Sequence, residues 1–146
     1  MTTGDFEIGW LDVGFKESDQ ELYQHLIKKE SKTPFSGMMM SEVFIYSMAL
    51  GYKDGKRIKF EKGEKRMPNM PPNAFTSEMR WLMRAISITE NEDLEHIVDH
   101  NKVIQIAEEY ANRGMQIIRE LDLKSSTEYE RDAVYESHLK QNMNDS

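Results

Sequence analysis

The run Asn101–Leu123, NKVIQIAEEYANRGMQIIRELDL, decides the fold. Within it Ile104, Ala107, Ala111, Gly114, Ile118 and Leu121 are separated by 3, 4, 3, 4 and 3 residues. That spacing returns apolar side chains to one helical face, in an a/d pattern over nearly three heptads. Asn101 is expected to cap this helix, which should run to about Leu123. Gly114 costs about 1 kcal/mol relative to alanine in a helix interior. A glycine on the apolar stripe, beside the small Ala111, therefore predicts close approach of another helix or backbone.

Upstream, Thr76 or Ser77 is placed to cap a helix through about Thr89, with Trp81, Leu82, Ala85, Ile86 and Ile88 as its expected buried stripe. Asn91 is placed to cap a short helix containing Leu94, Ile97 and Val98. Between Met38 and Leu50, Val43, Phe44, Met48 and Ala49 fall at helical spacing, widened by Tyr46 and Leu50. Gly51 then reads as a left-handed glycine just past the helix end. Ser18 or Asp19 caps a helix through roughly Lys32 with Leu22, Tyr23, Leu26 and Ile27 on its apolar face. Thr33-Pro34 ends it, because the residue before proline avoids the α region.

The remaining segments are less regular. Residues 5–15, DFEIGWLDVGF, alternate imperfectly, and Ile58 and Phe60 alternate with Lys59 and Glu61. Residues 62–75, KGEKRMPNMPPNAF, hold three prolines and read as a long loop. Residues 124–146 are polar, with Tyr129, Val134, Tyr135 and Leu139 in a weak helical pattern. The expected fold is mainly α: a compact bundle of about five helices with a short strand or hairpin near residues 5–15 and 57–61. An N-terminal arm (1–17), a helical domain (18–123) and a polar C-terminal helix or tail (124–146) make up the chain.

A chain of 146 residues suits one domain able to bury a core without disulfides or metal. It contains no cysteine, which removes disulfides, thiolate chemistry, Cys-ligated zinc and iron–sulfur clusters from consideration. With no leader-like N-terminus and no apolar run near the roughly 18–20 residues of a membrane span, a cytoplasmic location away from membranes is expected.

The net charge is −7. Residues 53–66 depart from it, with seven basic side chains (Lys53, Lys56, Arg57, Lys59, Lys62, Lys65 and Arg66) against three acidic ones. This segment is the candidate nucleic-acid-binding surface: its cations suit phosphates, and Tyr52 or Phe60 suits stacking on bases. The plainer reading is a solvated loop whose lysines balance acidic neighbours. Phe6, Trp10, Phe35, Met38, Met39 and Met40 are the protein-interface candidates. Core packing is the plainer account of the methionines, and an adaptable partner surface the sharper one.

No catalytic constellation is present at the level of motif. There is no nucleophile elbow, no P-loop and no dinucleotide fingerprint. Glu108-Glu109 is read as a solvated helix face rather than an acid/base pair. His96 and His100, in HIVDH, share the spacing of an inverted zincin motif with Asp in place of Glu. They are a weak metal candidate beside the plainer reading of two histidines near a helix end. No cofactor is expected, and the chain is expected not to be an enzyme.

Two longer motifs carry a family resemblance. Phe35 … Val43-Phe44 … Ala49-Leu50-Gly51-Tyr52-Lys53-Asp54-Gly55-Lys56-Arg57 resembles the core motif of small accessory proteins encoded beside DNA phosphorothioation (Dnd) systems. After an intervening segment like Ala85-Ile86-Ser87-Ile88, Glu108-Glu109-Tyr110-Ala111-Asn112-Arg113-Gly114-Met115 resembles the second motif of that family. The usual form there is EEYANGGL, so Arg113 and Met115 depart from it. The resemblance spans about residues 20–121. It implies an accessory component of a prokaryotic antiphage defence locus, with no catalytic residues to carry over. It also implies larger partners from the same system, an SMC-like ATPase or a nuclease, which the chain would bridge or regulate.

Overall fold

The structure, a computed structural model, describes residues 10–90 and 99–124. Four α-helices lie among them: α1 (Gln20–Ile27), α2 (Met40–Asp54), α3 (Ser77–Glu90) and α4 (His100–Lys124). Two short strands, β1 (Val13–Lys16) and β2 (Arg66–Met70), pair antiparallel. The class is therefore mainly α, as the periodicity indicates. The short helix expected after Asn91, the tail beyond residue 124 and most of the arm lie outside the described residues.

The long helix α4 forms where its a/d stripe predicts. It starts two residues earlier than the Asn101 cap implies, because the Asp99 carboxylate accepts the Lys102 N–H at 3.3 Å and takes the capping role. Ala107, Ala111, Gly114 and Ile118 on the stripe are buried. They lie in the same core as Val43, Phe44 and Met48 of α2.

The two helices meet through backbone. A Cβ on Gly114 would overlap the Ser47 carbonyl, and a Cβ on Gly51 would overlap the Tyr110 carbonyl. Gly51 is thus a buried interior residue of α2 and not the residue past its end. The left-handed glycine is Gly55 (φ 77°), whose N–H donates to the carbonyls of Gly51 and Tyr52, both at 3.0 Å. At the other end of α2, the Glu42 carboxylate accepts the Met39 N–H at 2.9 Å, one half of a capping box.

α1 ends at Ile27, earlier than Lys32, and a 3₁₀ turn (Lys29–Ser31) follows. The Thr33 hydroxyl donates to the Leu26 carbonyl at 2.6 Å and accepts the Phe35 N–H at 3.1 Å. The chain therefore reverses at the Thr33-Pro34 step.

The second strand lies at Arg66–Met70, within the proline-containing segment expected to be a loop, while residues 57–61 are irregular. Pro68 removes a ladder donor, and a two-stranded sheet tolerates this because both strands are edges. The register pairs Val13 with Met70, Phe15 with Met67 and Lys16 with Arg66, with an irregularity at Gly14. A Cβ on Gly14 would lie 2.8 Å from the Met67 carbonyl oxygen, so glycine suits the bulge. Phe15 stacks on Tyr23 at 4.3 Å between ring centres and anchors the strand to α1.

α3 spans the expected residues, but of its expected stripe only Ile86 is buried, and the inward face is rotated toward Met83 and Ser87. Met83, Arg84, Ile86 and Ser87 are buried, whereas Trp81 is 53% exposed and Leu82 and Ile88 are also exposed. Arg84 lies within cation–π distance of both Trp10 and Trp81, at 4.9 and 4.8 Å. Burying the arginine between the two indoles brings the polar side of the helix inward.

Candidate functional site

Glu108 and Glu109 on α4 are only 4% and 3% exposed. Expected to be solvated, they are instead buried and organise the surrounding polar groups. Glu108 follows Ile104 by four residues and precedes Met115 by seven, so it sits on a buried stripe. Its two oxygens accept the Arg66 Nε–H at 2.9 Å, an Arg66 Nη–H at 2.7 Å and the Gly14 backbone N–H at 2.8 Å. Arg66 also donates to the Asp12 carbonyl at 2.7 Å. The pair therefore ties α4 to both strands.

Burial pushes the Glu108 carboxyl above its usual value, although the Arg66 guanidinium and the Gly14 N–H pull it back. The same hydrogen bonds hold Arg66 above the ordinary guanidinium value.

Glu109 makes the neighbouring clamp. Arg57 donates to its Oε1 through Nε at 2.9 Å and Nη2 at 2.7 Å, and Gln105 donates to its other oxygen at 3.2 Å. Arg57 also reaches Glu90 at the end of α3, at 3.1 Å. The Tyr110 hydroxyl donates to the other Glu90 oxygen. Burial, then this hydrogen bond, pushes the Tyr110 hydroxyl above its usual value. The Ile58 N–H donates to the Glu109 carbonyl at 3.0 Å, and Asn112 donates from its side chain to the Ile58 carbonyl at 2.9 Å. Arg113 pairs with Asp54 at 2.7 Å. Glu108, Glu109, Asn112 and Arg113 thus hold the basic segment against α4.

This arrangement divides the seven nucleic-acid-binding candidates. The guanidiniums of Arg57 and Arg66 are engaged by buried carboxylates, and Lys65 lies 3.6 Å from Glu17. Lys53, Lys56, Lys59 and Lys62 are exposed.

The interface candidates divide as well. Trp10 and Phe35 are core residues, with Trp10 stacked on His100 at 5.0 Å and Phe35 edge-on to Tyr46 at 5.7 Å. Met38 and Met40 are half-buried against the core, and Met39 is 56% exposed. Phe6 lies outside the described residues. So does His96, which leaves His100, packed on Trp10, as the described half of the metal candidate. Among the described residues no group of three or more metal-ligating side chains converges.

A cleft of about 820 Å³ opens between the start of β1, the segment around Lys59–Glu64 and the first turns of α4. Trp10, Phe60 and Ile104 give it apolar walls, and Lys59, Arg66 and Gln105 polar ones. Glu108 and Glu109 lie at its edge with their oxygens already accepting the hydrogen bonds described above. Sequence reading did not find the Arg57–Glu109 and Arg66–Glu108 pairs. A signal was present: an adjacent carboxylate pair on a helix that carries a buried stripe, in a chain with a compact excess of base elsewhere.

The fold and this polar lattice define a class: a small helical protein in which one long helix uses an acidic motif to clamp a basic segment and a two-stranded sheet. The chain belongs to the family of DNA sulphur modification system-associated protein 4, whose family model matches residues 14–145. No curated protein and no solved structure matches it. Among the described residues no helix is long and apolar enough to cross a membrane.

Proposed function

We propose that the chain is a non-enzymatic accessory subunit of a DNA sulphur modification system. In that role it would bridge or regulate a larger ATPase or nuclease in a cytoplasmic antiphage defence complex. The observation that carries this reading is the family match over residues 14–145, combined with what the Glu108–Met115 run does in the fold. That run is engaged in holding the protein together: both buried carboxylates accept arginine N–H groups, and neither is left as a free base. The exposed apolar groups Met39, Trp81, Leu82 and Ile88 also suit a subunit better than an isolated monomer.

Expression of the whole locus with this chain tagged tests the proposal. Stoichiometric recovery of the products of the adjacent genes is the expected result. Recovery of the chain alone, as a stable monomer that binds none of them, would refute it.

A further inference from the structure

We propose that Lys53, Lys56, Lys59 and Lys62 form a ridge that binds the phosphate backbone of duplex DNA, and that Arg57 and Arg66 take no part in it. Charge, spacing and exposure support this assignment. The four lysines recur at every third residue, and all four are exposed. Among the described residues none has a carboxylate within ion-pair distance.

Of the residues between them, Arg57, Ile58 and Phe60 are half-buried and turn to the protein, whereas Asp54, Gly55 and Glu61 are exposed. Arg57 donates to Glu109, Ile58 is hydrogen-bonded on both its backbone groups to α4, and Phe60 lines the cleft. The chain is therefore anchored to α4 at Ile58, between Lys56 and Lys59, while the lysines are exposed. Two of the three acidic residues of the segment are neutralised from outside it, Asp54 by Arg113 at 2.7 Å and Glu64 by Lys16 at 3.0 Å. Among the described residues no cation lies within ion-pair distance of the third, Glu61.

The result is a local excess of positive charge on a chain whose net charge is −7. Three residues of chain span at most about 10 Å. Successive lysines on flexible stems can thus reach neighbouring phosphates along a duplex, whose strands carry one phosphate per ~3.4 Å of rise. Contacts of this kind neutralise backbone charge and carry no base sequence information. The acidic remainder of the protein opposes association, so binding should be weak and strongly salt-dependent. The inference concerns the isolated chain and does not depend on the subunit reading.

Fluorescence anisotropy with a short mixed-sequence duplex tests it. The expected result is binding at low salt, with log affinity falling against log salt at a slope of roughly −3 to −4 for four neutralised phosphates. Replacing Lys53, Lys56, Lys59 and Lys62 together with Gln should weaken low-salt binding by at least about tenfold and flatten the slope. A control with Lys28, Lys29, Lys32 and Lys102 changed to Gln has the same net charge and should keep the wild-type slope.

Three outcomes would overturn the proposal. One is no binding at low salt. Another is equal loss in both variants. The third is equally tight binding to poly-glutamate or to phosphatidylserine vesicles. All eight lysines are exposed, and equal circular dichroism of the two variants and the wild type shows that binding is compared on folded protein. A negative result here leaves recovery of the adjacent gene products unaffected, and the reverse also holds.

Discussion

Gly114 of α4 lies directly against the Ser47 carbonyl of α2, and a methyl group added at Gly114 would overlap that carbonyl. One helical turn before Gly114, the Tyr110 carbonyl lies in the same way against Gly51. Each helix thus supplies a glycine to the backbone of the other.

Gly114→Ala and Gly51→Ala should each destabilise the fold. In an exposed helix this change gains about 1 kcal/mol. Here the overlap is with backbone, which cannot rotate away, so a net loss of roughly 1–3 kcal/mol is expected. Urea denaturation gives the answer, and a gain in stability at either site would show that the helices are not in backbone contact.

Arg57→Ala should loosen the basic segment. It removes donors from Glu109 and Glu90 and leaves a buried carboxylate with only Gln105. A loss of about 1–3 kcal/mol is expected, less than for a fully buried pair because Arg57 is partly exposed. Hydrogen exchange at the Ile58 amide should accelerate more than exchange at the amides of α2. Unchanged exchange at Ile58 would mean that the clamp does not hold the segment.

Glu64 and Glu108 should titrate on opposite sides of the ordinary carboxylate range. The Glu61 backbone N–H and the Lys16 ammonium hold Glu64 low. Its stabilising contribution is present above the unfolded-state value and is lost as the pH falls through the folded one. Burial holds Glu108 high, so the folded state takes up a proton that the unfolded state has already released. This makes stability fall as the pH rises from the unfolded value through the folded one. Carboxyl carbon NMR during a pH titration separates the two groups. Finding Glu108 below Glu64 would contradict the burial argument.

Much of the fold is legible in the sequence because α4 declares itself. Its stripe has six members over nearly three heptads, and Gly114 on that stripe correctly signals a close backbone approach. Gly51 carries the same signal but precedes a turn-like Lys53–Lys56, so it reads as a helix end when the end is at Gly55. The second strand is obscured by Pro68 and by pairing with a partner some fifty residues away, which local alternation does not register. The face of α3 is misjudged for a related reason: Trp81 and Leu82 look like core, but the inward positions are taken by Arg84 between two indoles. The candidate site is legible as charge and not as pairing. The basic excess is visible in the composition, while the division between engaged arginines and projecting lysines depends on which of them Glu108 and Glu109 reach in space.

The most direct test of the account is recovery of the tagged chain from cells expressing the complete locus, followed by quantitative mass spectrometry of what accompanies it. The account predicts that a larger ATPase or nuclease encoded beside it co-elutes in fixed stoichiometry through a sizing column. Elution of the chain by itself, at the size of a 17.1 kDa monomer with none of the adjacent products, would contradict it.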